Sequence, residues 1–312
     1  MNSMKLNSKP SKRKRYSAIL FAVLLSFLLL LIYLEHAWDN FRIDGVNKTG
    51  RTIICKSAFD IMANNTYMII SRNGKVVVMD PYDVIPGPAP DLITVSHLHG
   101  DHYDEEYTVK SDCRKSIAKV DSLETSDMKM FSIPASHYGD SVDESDPSDV
   151  IYVVEIDSLK IVHLGDYAQS RLTEKQKSLL NGVDILIMPC AYYPVTDSSI
   201  HNILTELHPP VIFTTHTDGK RLDFLKKQVS GTIVLDERYS VNKSDIDRST
   251  MKLVTLERDH GVLLFARYLV YKFTGSNLFK IILAIGGLSL IVWIFLRRRT
   301  TKRSGTMHTD NA

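Results

Sequence analysis

Short runs of apolar, mostly β-branched residues recur through the middle of the chain, separated by polar turns or short amphipathic segments. Such runs predict strands, and the Asn73-Gly74 pair between two of them predicts a hairpin. Amphipathic segments that begin at a capping residue and end at glycine or proline predict helices, as at 173–182 and 199–210. The charged segment 104–129 is expected to be helix and loop. Hairpins come first and strand–helix alternation follows, so the pattern predicts an α/β sandwich of two sheets with helices outside.

Two long apolar segments flank this region. Residues 16–34 contain no charged residue, and residues 279–296 contain only Lys280, near one end. At about 1.5 Å per residue each is close to the ~30 Å hydrocarbon core of a bilayer, so both are predicted to be transmembrane helices. A signal peptide is the alternative for the first, but its apolar stretch is long and no small-residue cleavage site follows. A buried core helix is the alternative for the second, although the basic run 297–299 follows directly, as in a stop-transfer segment.

Basic residues next to these segments predict their orientation. The tails at 1–15 and 297–312 are rich in lysine and arginine, so both are expected in the cytoplasm, with residues 35–278 beyond the membrane. We therefore expect an integral membrane protein with two spans and the lipid bilayer as a partner. Residues 260–273 fit either a last strand or an interfacial amphipathic helix. The predicted parts between the spans are a connector at 35–51, a single large domain at 52–260 and a juxtamembrane segment at 261–278.

Charge is unevenly distributed along the chain, whose formal net charge is +2. Residues 35–278 hold 26 lysines and arginines against 35 aspartates and glutamates, so their formal charge is 26 − 35 = −9. An acidic domain repels phosphate backbones, and nucleic acid is therefore not an expected partner. The same region contains Cys55, Cys113 and Cys190, which we interpret as structural because no CxxC spacing occurs. An odd number of cysteines leaves open whether two of them pair.

The densest cluster of titratable residues is "HLHGDH" at 97–102, directly after the apolar run "DLITV". Alternate side chains of an extended segment lie on one side, so His97 and His99 can reach the same ion. Asp101 and His102 follow a glycine at which the chain can turn, and they can serve a second ion. Imidazoles and carboxylates with open coordination positions are the groups with which a protein uses a transition metal to activate water.

Three further candidate ligands follow later apolar runs. His137, Asp166 and His216 each come after a predicted strand, which places them on loops at one edge of the sheets. Catalytic groups gather on such loops because a rigid scaffold holds them in position. The later residues therefore complete the set that a binuclear metal site requires.

The chain resembles the metallo-β-lactamase superfamily, in particular its branch of metal-dependent hydrolases that includes the ascorbate-phosphate lactonase. The resemblance covers about residues 52–236, including the HxHxDH run, the later His, Asp and His, and the neighbouring "GKVVVMDP" and "VDILIMPCAYYPVT". It implies a four-layer αββα sandwich, flanked here by the two predicted transmembrane helices. The family usually has a small residue after the bridging aspartate, where this chain has Tyr167. The implied ligands are His97, His99 and His137 for one ion, Asp101, His102 and His216 for the other, and Asp166 as the bridge opposite a water or hydroxide.

The resemblance also implies a reaction and cofactors. Two divalent ions lower the pKa of a shared water and polarise the substrate, with Asp101 and Asp166 as the catalytic carboxylates. Zinc suits the nitrogen-rich ligand set best, and manganese and iron are alternatives. His99 stands where oxygen-reducing di-iron relatives carry a carboxylate, which favours hydrolysis of an ester, lactone or phosphodiester. Membrane anchoring makes lipid or envelope substrates candidates alongside small molecules.

The alternative function is a metal-stabilised membrane sensor or scaffold without turnover. Seven candidate ligands argue against it, because a structural zinc needs only four closed ligands. The oligomeric state is left open by the sequence.

Several residues near these motifs allow two interpretations. Asp80 is either a catalytic carboxylate or a brace for the histidine loop, and His163 either supports the site or packs within its strand. His201 either contacts substrate or lies on the surface at the start of a helix. The aromatic pair at 192–193 lines either the substrate entrance or the core. The acidic loop at 140–149 is either solvated surface or a lid near His137.

Overall fold

The computed structural model describes eight segments of the chain: residues 20–21, 24–26, 49–56, 65–84, 88–191, 195–217, 219–235 and 238–256. Within these segments no helix combines the length and the apolar composition that crossing a bilayer requires. Both predicted tails, the juxtamembrane segment and the second predicted span lie outside them, as does the first span apart from five helical residues. The predicted spans therefore stay predictions.

Fourteen strands are found in the described segments, and they form two sheets. The strands are β1 (Thr52–Lys56), β2 (Tyr67–Ile70), β3 (Val76–Met79), β4 (Leu92–Val95), β5 (Arg114–Ile117), β6 (Ser122–Glu124), β7 (Met128–Ala135), β8 (Asp149–Ile156), β9 (Leu159–His163), β10 (Ile185–Pro189), β11 (Val211–Thr215), β12 (Gly231–Leu235), β13 (Arg238–Val241) and β14 (Lys252–Leu256). The first sheet has the order β13-β1-β2-β3-β4-β5, and the second has the order β12-β14-β11-β10-β9-β8-β7-β6.

The described helices are short, and side-chain caps fix where three of them begin. The Asp104 carboxylate accepts the Tyr107 N–H at the start of the first helix. Thr173 and Thr196 open the second and third helices with capping boxes, which satisfy backbone N–H groups that have no partner within a helix. The helices are α1 (Glu105–Lys110), α2 (Glu174–Leu180), α3 (Asp197–Leu207) and α4 (Gly219–Gln228).

The strands alternate between two apolar layers because successive side chains of a strand point to opposite faces. Val77 of β3 lies in the core between the sheets with Phe213 of β11, whereas its neighbour Val78 lies on the outer face of the first sheet. On the outer face of the second sheet, Leu180, Ile203 and other residues of α2, α3 and α4 pack in one cluster with the strands. On the outer face of the first sheet, Tyr107 of α1 packs with the strands. The predicted α/β sandwich of two sheets with outer helices is confirmed.

One edge of the first sheet collects three chain segments. Strands β3 and β4 are parallel and end there, whereas β2 is antiparallel to β3 and begins there. The register shows this directly, because Tyr67 at the start of β2 pairs with Met79 at the end of β3, and Met79 pairs with Thr94 of β4. The residues before β2 and those after β3 and β4 are therefore neighbours.

The second sheet forms a comparable edge. Strands β9, β10 and β11 are parallel, and β7 runs in the same direction because both β7 and β9 are antiparallel to β8. Strands β7, β9 and β11 therefore end at the edge where β8 begins, and Ala135 at the end of β7 pairs with Asp149 at the start of β8. The residues after β7, β9 and β11 and those before β8 are therefore neighbours at this edge.

The expectation of helix and loop at 104–129 is wrong in part. Helix α1 lies there, but β5 and β6 follow it as short strands at one edge of their respective sheets. In β5 only Ser116 is fully buried, so its sequence "RKSI" lacks the apolar run by which a central strand is recognised. The three cysteines do not form a disulfide. Cys55 lies in β1 and Cys113 directly precedes β5, with three strands between them.

Candidate metal centre

The histidine loop leaves the first sheet at the end of β4 and turns back on itself. The His102 N–H donates to the His99 carbonyl at 3.0 Å, which closes the turn. His97 and His102 are buried, His99 is exposed and Asp101 is partly exposed. One side of the loop thus faces the interior and the other faces solvent.

The structure brings all seven predicted ligands into two adjacent groups. In each group the candidate ligand atoms lie within 4.8 Å of one another. The first group receives side chains from the loops after β4, β7 and β9, and the second from the loops after β4 and β11. The first group is His97, His99, His137 and Asp166, and the second is Asp101, His102 and His216.

Asp166 lies between the two groups and directs one carboxylate oxygen at each. Its Oδ2 is 3.5 Å from His97 Nε2 and 3.8 Å from His137 Nδ1, both of the first group. Its Oδ1 is 3.3 Å from His102 Nε2 and 3.0 Å from His216 Nε2, both of the second. This is the arrangement expected of a carboxylate that bridges two cations.

The spacing of the second group with Asp166 Oδ1 fits a divalent cation. The nearest approach is 2.9 Å, between the Nε2 atoms of His102 and His216. His102 Nε2 and Asp101 Oδ2 lie farther apart, at 3.9 Å. A tetrahedral zinc with bonds of about 2.0–2.2 Å needs ligand atoms roughly 3.3–3.5 Å apart. The observed range brackets that value.

Two buried polar atoms of the candidate ligands lack hydrogen-bond partners within the described residues, which agrees with a cation site. His97 Nε2 and Asp166 Oδ1 are buried and take part in no hydrogen bond within the described residues, although the imidazoles lie close to the carboxylate. A buried polar atom without a partner is costly unless an ion or water satisfies it. The donor set therefore suits one cation on each side of Asp166.

A buried carboxylate behind the histidine loop fixes the orientation of two rings. Asp80 Oδ2 accepts a hydrogen bond from His102 Nδ1 at 2.7 Å and another from Ser96 Oγ at 2.7 Å. The Ser96 hydroxyl oxygen is 3.0 Å from His97 Nδ1 and can accept its proton. Because both Nδ1 atoms are engaged, the Nε2 atoms of the two rings point towards the site. In metal proteins, a carboxylate behind a ligating histidine orients the ring in the same way. Asp80 is thus the brace rather than a group facing the substrate.

Electrostatics at this edge keep the carboxylates ionised. Burial raises the pKa of Asp80, but the neighbouring His163 and His102 outweigh it and lower the pKa to about 2. Burial likewise opposes ionisation of Asp166, yet the close approach of His102 and His216 holds its pKa well below the usual range. Burial and the neighbouring His97 lower the pKa of His137 to about 4, so this ring is neutral at pH 7, as a metal ligand must be.

Asp149, at the start of β8, is a site neighbour that sequence reasoning missed. It is fully buried, its Oδ1 lies 3.5 Å from His97 Nδ1, and neither oxygen accepts a hydrogen bond within the described residues. Burial raises its pKa to about 6, which the neighbouring His97 offsets only in part. Gly165 fits against it: at φ +62 a Cβ there would overlap the Asp149 carboxylate and come within 2.6 Å of Ser96 Cβ.

Asn65, two residues before the start of β2, is the second residue that sequence reasoning missed. Its side chain is fully buried, and its Nδ2 lies 3.0 Å from both His102 Nε2 and His216 Nε2 and 3.4 Å from Asp101 Oδ2. It therefore contacts every member of the second group. The signal that could have revealed both missed residues is their position at the start of an antiparallel strand, on the edge where the ligand-bearing strands end.

The remaining candidates are placed as follows. His163 is buried behind the site, with Nδ1 3.7 Å from Asp80 Oδ2, so it supports the brace. His201 lies on the exposed side of α3, where its Nδ1 is 3.0 Å from the Gln228 side-chain oxygen. Tyr167 is buried in the cluster between the second sheet and its helices. The tyrosines at 192–193 lie outside the described residues.

The acidic loop is largely exposed, but two contacts fasten it. Asp140 accepts hydrogen bonds from the N–H and the hydroxyl of Ser170, and Glu144 pairs with Lys175 at 2.7 Å. At the inner end of the loop, Ser148 Oγ accepts the His137 N–H at 3.0 Å. The loop is thus solvated surface along most of its length, and its last turn holds the backbone of one candidate ligand.

A comparison with protein families and with solved structures agrees with this geometry. The family described as "Beta-lactamase superfamily domain" matches residues 60–216. Among curated proteins no sequence matches this chain.

Several solved structures are similar. One is a Thermotoga maritima protein named for the zinc-dependent hydrolases of the metallo-β-lactamase superfamily, at 19% identity and a TM-score of 0.50 over 66% of this chain and 100% of that one. A Parabacteroides distasonis protein named for metal-dependent hydrolases is 19% identical, with a TM-score of 0.43 over 63% and 90% of the two chains. The Bacillus subtilis metallo-β-lactamase fold protein YhfI is 12% identical, with a TM-score of 0.43 over 66% and 97%. At 19% identity and a TM-score of 0.50, the Thermotoga maritima structure supports the fold alone.

Proposed function

The chain belongs to the β-lactamase superfamily, and from that premise we propose that it is a binuclear metal-dependent hydrolase of an ester, a lactone or a phosphodiester. The expectation of a hydrolase is confirmed at the level of the superfamily; the metal count and the substrate are the proposal. The observation that carries it is the position of Asp166, whose two oxygens face two separate groups of ligand atoms. A single structural ion would require neither the second group nor a carboxylate between them.

The proposed ligands form two sets, which correspond to the two groups of ligand atoms in the structure. Divalent ions at the two positions would supply a water of lowered pKa and a Lewis acid for the substrate oxygen. Zinc suits the nitrogen-rich set, with manganese and iron as alternatives. The residues that would hold the ions are His97, His99, His137 and Asp166 on one side, and Asp101, His102, His216 and Asp166 on the other.

Asp101 is the ligand best placed to handle a proton. Its side chain is 39% exposed, whereas those of Asp166 and His102 are 2% and 0% exposed. A carboxylate at the open side of the site can accept a proton from an attacking water, whereas a buried one cannot exchange protons with solvent. We therefore assign the general base to Asp101 and the bridging role to Asp166.

Two exposed apolar side chains are next to candidate ligands in the chain. Leu98, between two of the histidine ligands, is 61% exposed, and Tyr138, next to His137, is 75% exposed. Their position supports a substrate with an apolar portion next to the bond that is cleaved. This agrees with lipid or other apolar esters better than with a fully polar substrate.

Membrane anchoring is the second part of the proposal and is supported by the sequence. The apolar segments 16–34 and 279–296 and their basic flanks are those of transmembrane helices with cytoplasmic ends. Helical residues of the first segment, including Leu20, Phe21 and Leu24, have exposed apolar side chains, as lipid-facing residues do. We expect the full chain to remain in membranes after alkaline carbonate extraction. In sealed right-side-out vesicles, external protease should cleave between the segments; release by carbonate would exclude the anchors.

The catalytic proposal is tested on the purified full chain in detergent. Elemental analysis should find about two transition-metal ions per chain, and these should be absent from the His97→Ala/His102→Ala double variant. Hydrolysis of p-nitrophenyl esters, an acyl-homoserine lactone and bis-p-nitrophenyl phosphate should identify the bond type. The Asp101→Asn variant should stay folded and lose turnover. A folded wild type without metal or turnover would exclude the hydrolase and favour the scaffold alternative.

A further inference from the structure

Asn65 lies at the second group of ligands in a way that a packing residue does not require. Its amide nitrogen is within hydrogen-bond distance of the Nε2 atoms of both His102 and His216, and it also donates to the Asp101 backbone carbonyl at 3.2 Å. Its other terminal atom, Oδ1, is buried without a hydrogen-bond partner within the described residues. The amide thus directs its donors at the candidate metal ligands and leaves its acceptor unused.

With an ion bound at this group, the amide would need the opposite orientation. The Nδ1 of His102 is engaged by Asp80, so in the neutral ring that a metal requires the lone pair lies on Nε2. An amide N–H cannot share that lone pair with a cation, and the positive end of its dipole would face the ion. A half-turn of the amide about its last bond exchanges nitrogen and oxygen without changing the shape of the side chain. The unused oxygen then faces the cation.

Hydrogen bonds of the neighbouring residues hold the backbone of Asn65 in place. The residue that follows it, Thr66, is fixed by hydrogen bonds from its hydroxyl to the carbonyls of Asp80 and Tyr82, at 2.8 and 3.1 Å. The start of β2 is also paired with the end of β3. The backbone at Asn65 is therefore anchored beside the brace of the histidine loop, and its side chain is buried towards the ligands.

We propose that the Asn65 carboxamide is a further member of the second metal site and presents Oδ1 to the ion held by Asp101, His102 and His216. The inference rests on the proposed function, because it assumes that a second ion binds. A neutral carbonyl oxygen adds a hard donor to this site, whereas the first group contains three imidazoles and a carboxylate. Oxygen donors suit manganese and magnesium better than they suit zinc, so Asn65 makes the two sites chemically unequal.

The test measures metal affinity rather than turnover. The full chain in detergent is stripped of metal and titrated with Zn²⁺ and with Mn²⁺ against a chelating indicator, which separates the two binding steps. The visible spectrum of the Co²⁺-loaded protein reports the coordination of each step. The variants are Asn65→Leu, which keeps the branched shape at Cγ without a polar atom, and Asn65→Asp, which keeps an oxygen donor. Asn202→Leu, the same substitution on the partly exposed α3, is the matched control.

In Asn65→Leu we expect the second binding step to weaken about ten- to a hundred-fold, as loss of a group at a metal site does, and the first to be unchanged. In Asn65→Asp the second step should be as strong as in the wild type or stronger. Asn202→Leu should match the wild type in both steps, and the Co²⁺ spectrum should change only in the position-65 variants.

Four results would overturn the inference. A folded Asn65→Leu protein with wild-type affinities and an unchanged Co²⁺ spectrum would make Asn65 a packing residue. If Asn65→Asp loses the second ion as severely as Asn65→Leu, the amide nitrogen is the important group and the oxygen is not. If Asn65→Leu fails to fold, Asn65→Asp decides alone, and a ten-fold loss of its second step excludes the proposal. A wild type that binds fewer than two ions would remove the proposed function and this inference together.

Discussion

A glycine at positive φ leads into a buried aspartate at both edges of the second sheet, with opposite surroundings. At the edge where β9 ends, Gly165 has φ +62 and precedes Asp166. At the edge where β10 begins, Gly182 has φ +75 and lies two residues before Asp184. Both aspartates are almost completely buried, so the local chain geometry does not distinguish them.

Their partners do distinguish them. Asp184 pairs with the side chains of Lys243 and Arg248 and accepts the Lys160 N–H at 2.9 Å, so its charge is satisfied within the protein. Asp166 faces imidazoles, and one of its oxygens accepts no hydrogen bond from the part of the chain that the structure describes. A satisfied buried charge holds elements together, whereas an unsatisfied one among lone pairs leaves room for a cation. The edge at Asp184 stabilises the fold, whereas the edge at Asp166 keeps the capacity to bind a cation.

The largest effect should come from removing the two charges in turn. Asp166→Asn should weaken both ions by more than about a hundred-fold, since it removes the group between them, and turnover should fall with the metal. Asp184→Asn should leave metal content unchanged and lower the free energy of unfolding by about 1–3 kcal/mol. Lys243 and Arg248 are nearly half exposed and can turn to water, which limits that cost. Elemental analysis and chemical denaturation separate the two outcomes, and equal metal loss in both variants would contradict the comparison.

A methyl group at each glycine should sharpen the same contrast. Gly165→Ala combines positive φ with overlap against the Asp149 carboxylate and Ser96, so we expect at least about 2 kcal/mol of destabilisation and a loss of metal. Gly182→Ala meets no atom within 4 Å and should cost only about 1 kcal/mol of backbone strain, with both ions retained. Thermal unfolding and metal content measure both effects. Metal retention in Gly165→Ala would show that Asp149 and Ser96 can move without disturbing the site.

An intermediate effect is expected at the first sheet. Asp80→Asn replaces an acceptor of hydrogen bonds from Ser96 and His102, and should weaken metal binding about ten- to a hundred-fold while the protein stays folded. Asp91, at the opposite end of the same strands, accepts the Val76 N–H at 2.9 Å. Asp91→Asn should change metal affinity by less than about two-fold. Titration of the metal-free proteins would refute the role of the brace if the two variants behaved alike.

The smallest effect should come from His201. Its ring contacts Gln228 on the exposed side of α3 rather than a member of the metal centre. His201→Ala should change the free energy of unfolding by no more than about 0.5 kcal/mol, as for most surface substitutions. The kcat/KM of the hydrolysed probe should be unchanged within about two-fold. A ten-fold loss of kcat/KM with normal metal content would restore His201 as a substrate contact.

The seven candidate ligands could be predicted from the sequence, whereas two buried residues beside them could not. His137, Asp166 and His216 follow apolar runs, and parallel strands deliver their ends to one edge, so linear order was sufficient to group them. Asn65 and Asp149 reach that edge at the beginning of antiparallel strands. To place them one needs the pairing of β2 with β3 and of β7 with β8, and residue order alone does not contain that pairing.

The strands of the fold likewise divide into those that the sequence predicts and those that it does not. Central strands such as β10 are buried along their whole length and stand out as apolar runs. The strands β5 and β6 lie at sheet edges, where exposed polar side chains interrupt the apolar pattern of a strand. The sequence pattern therefore predicts helix or loop at these positions. The sequence leaves Asp80 open as a catalytic carboxylate or a brace, and its link to His97 runs through the Ser96 hydroxyl, which no spacing rule would single out.

The strand order of the first sheet has a consequence for how the domain responds to oxidation. From Cys55 in β1 to Cys113 beside β5 there are four strand spacings, or about 19 Å. A disulfide needs Cα atoms within roughly 7 Å. Cys190 follows β10 of the second sheet and packs with its outer cluster, and no disulfide joins it to either of the others. None of the contacts that the structure describes in this domain therefore depends on an oxidised thiol.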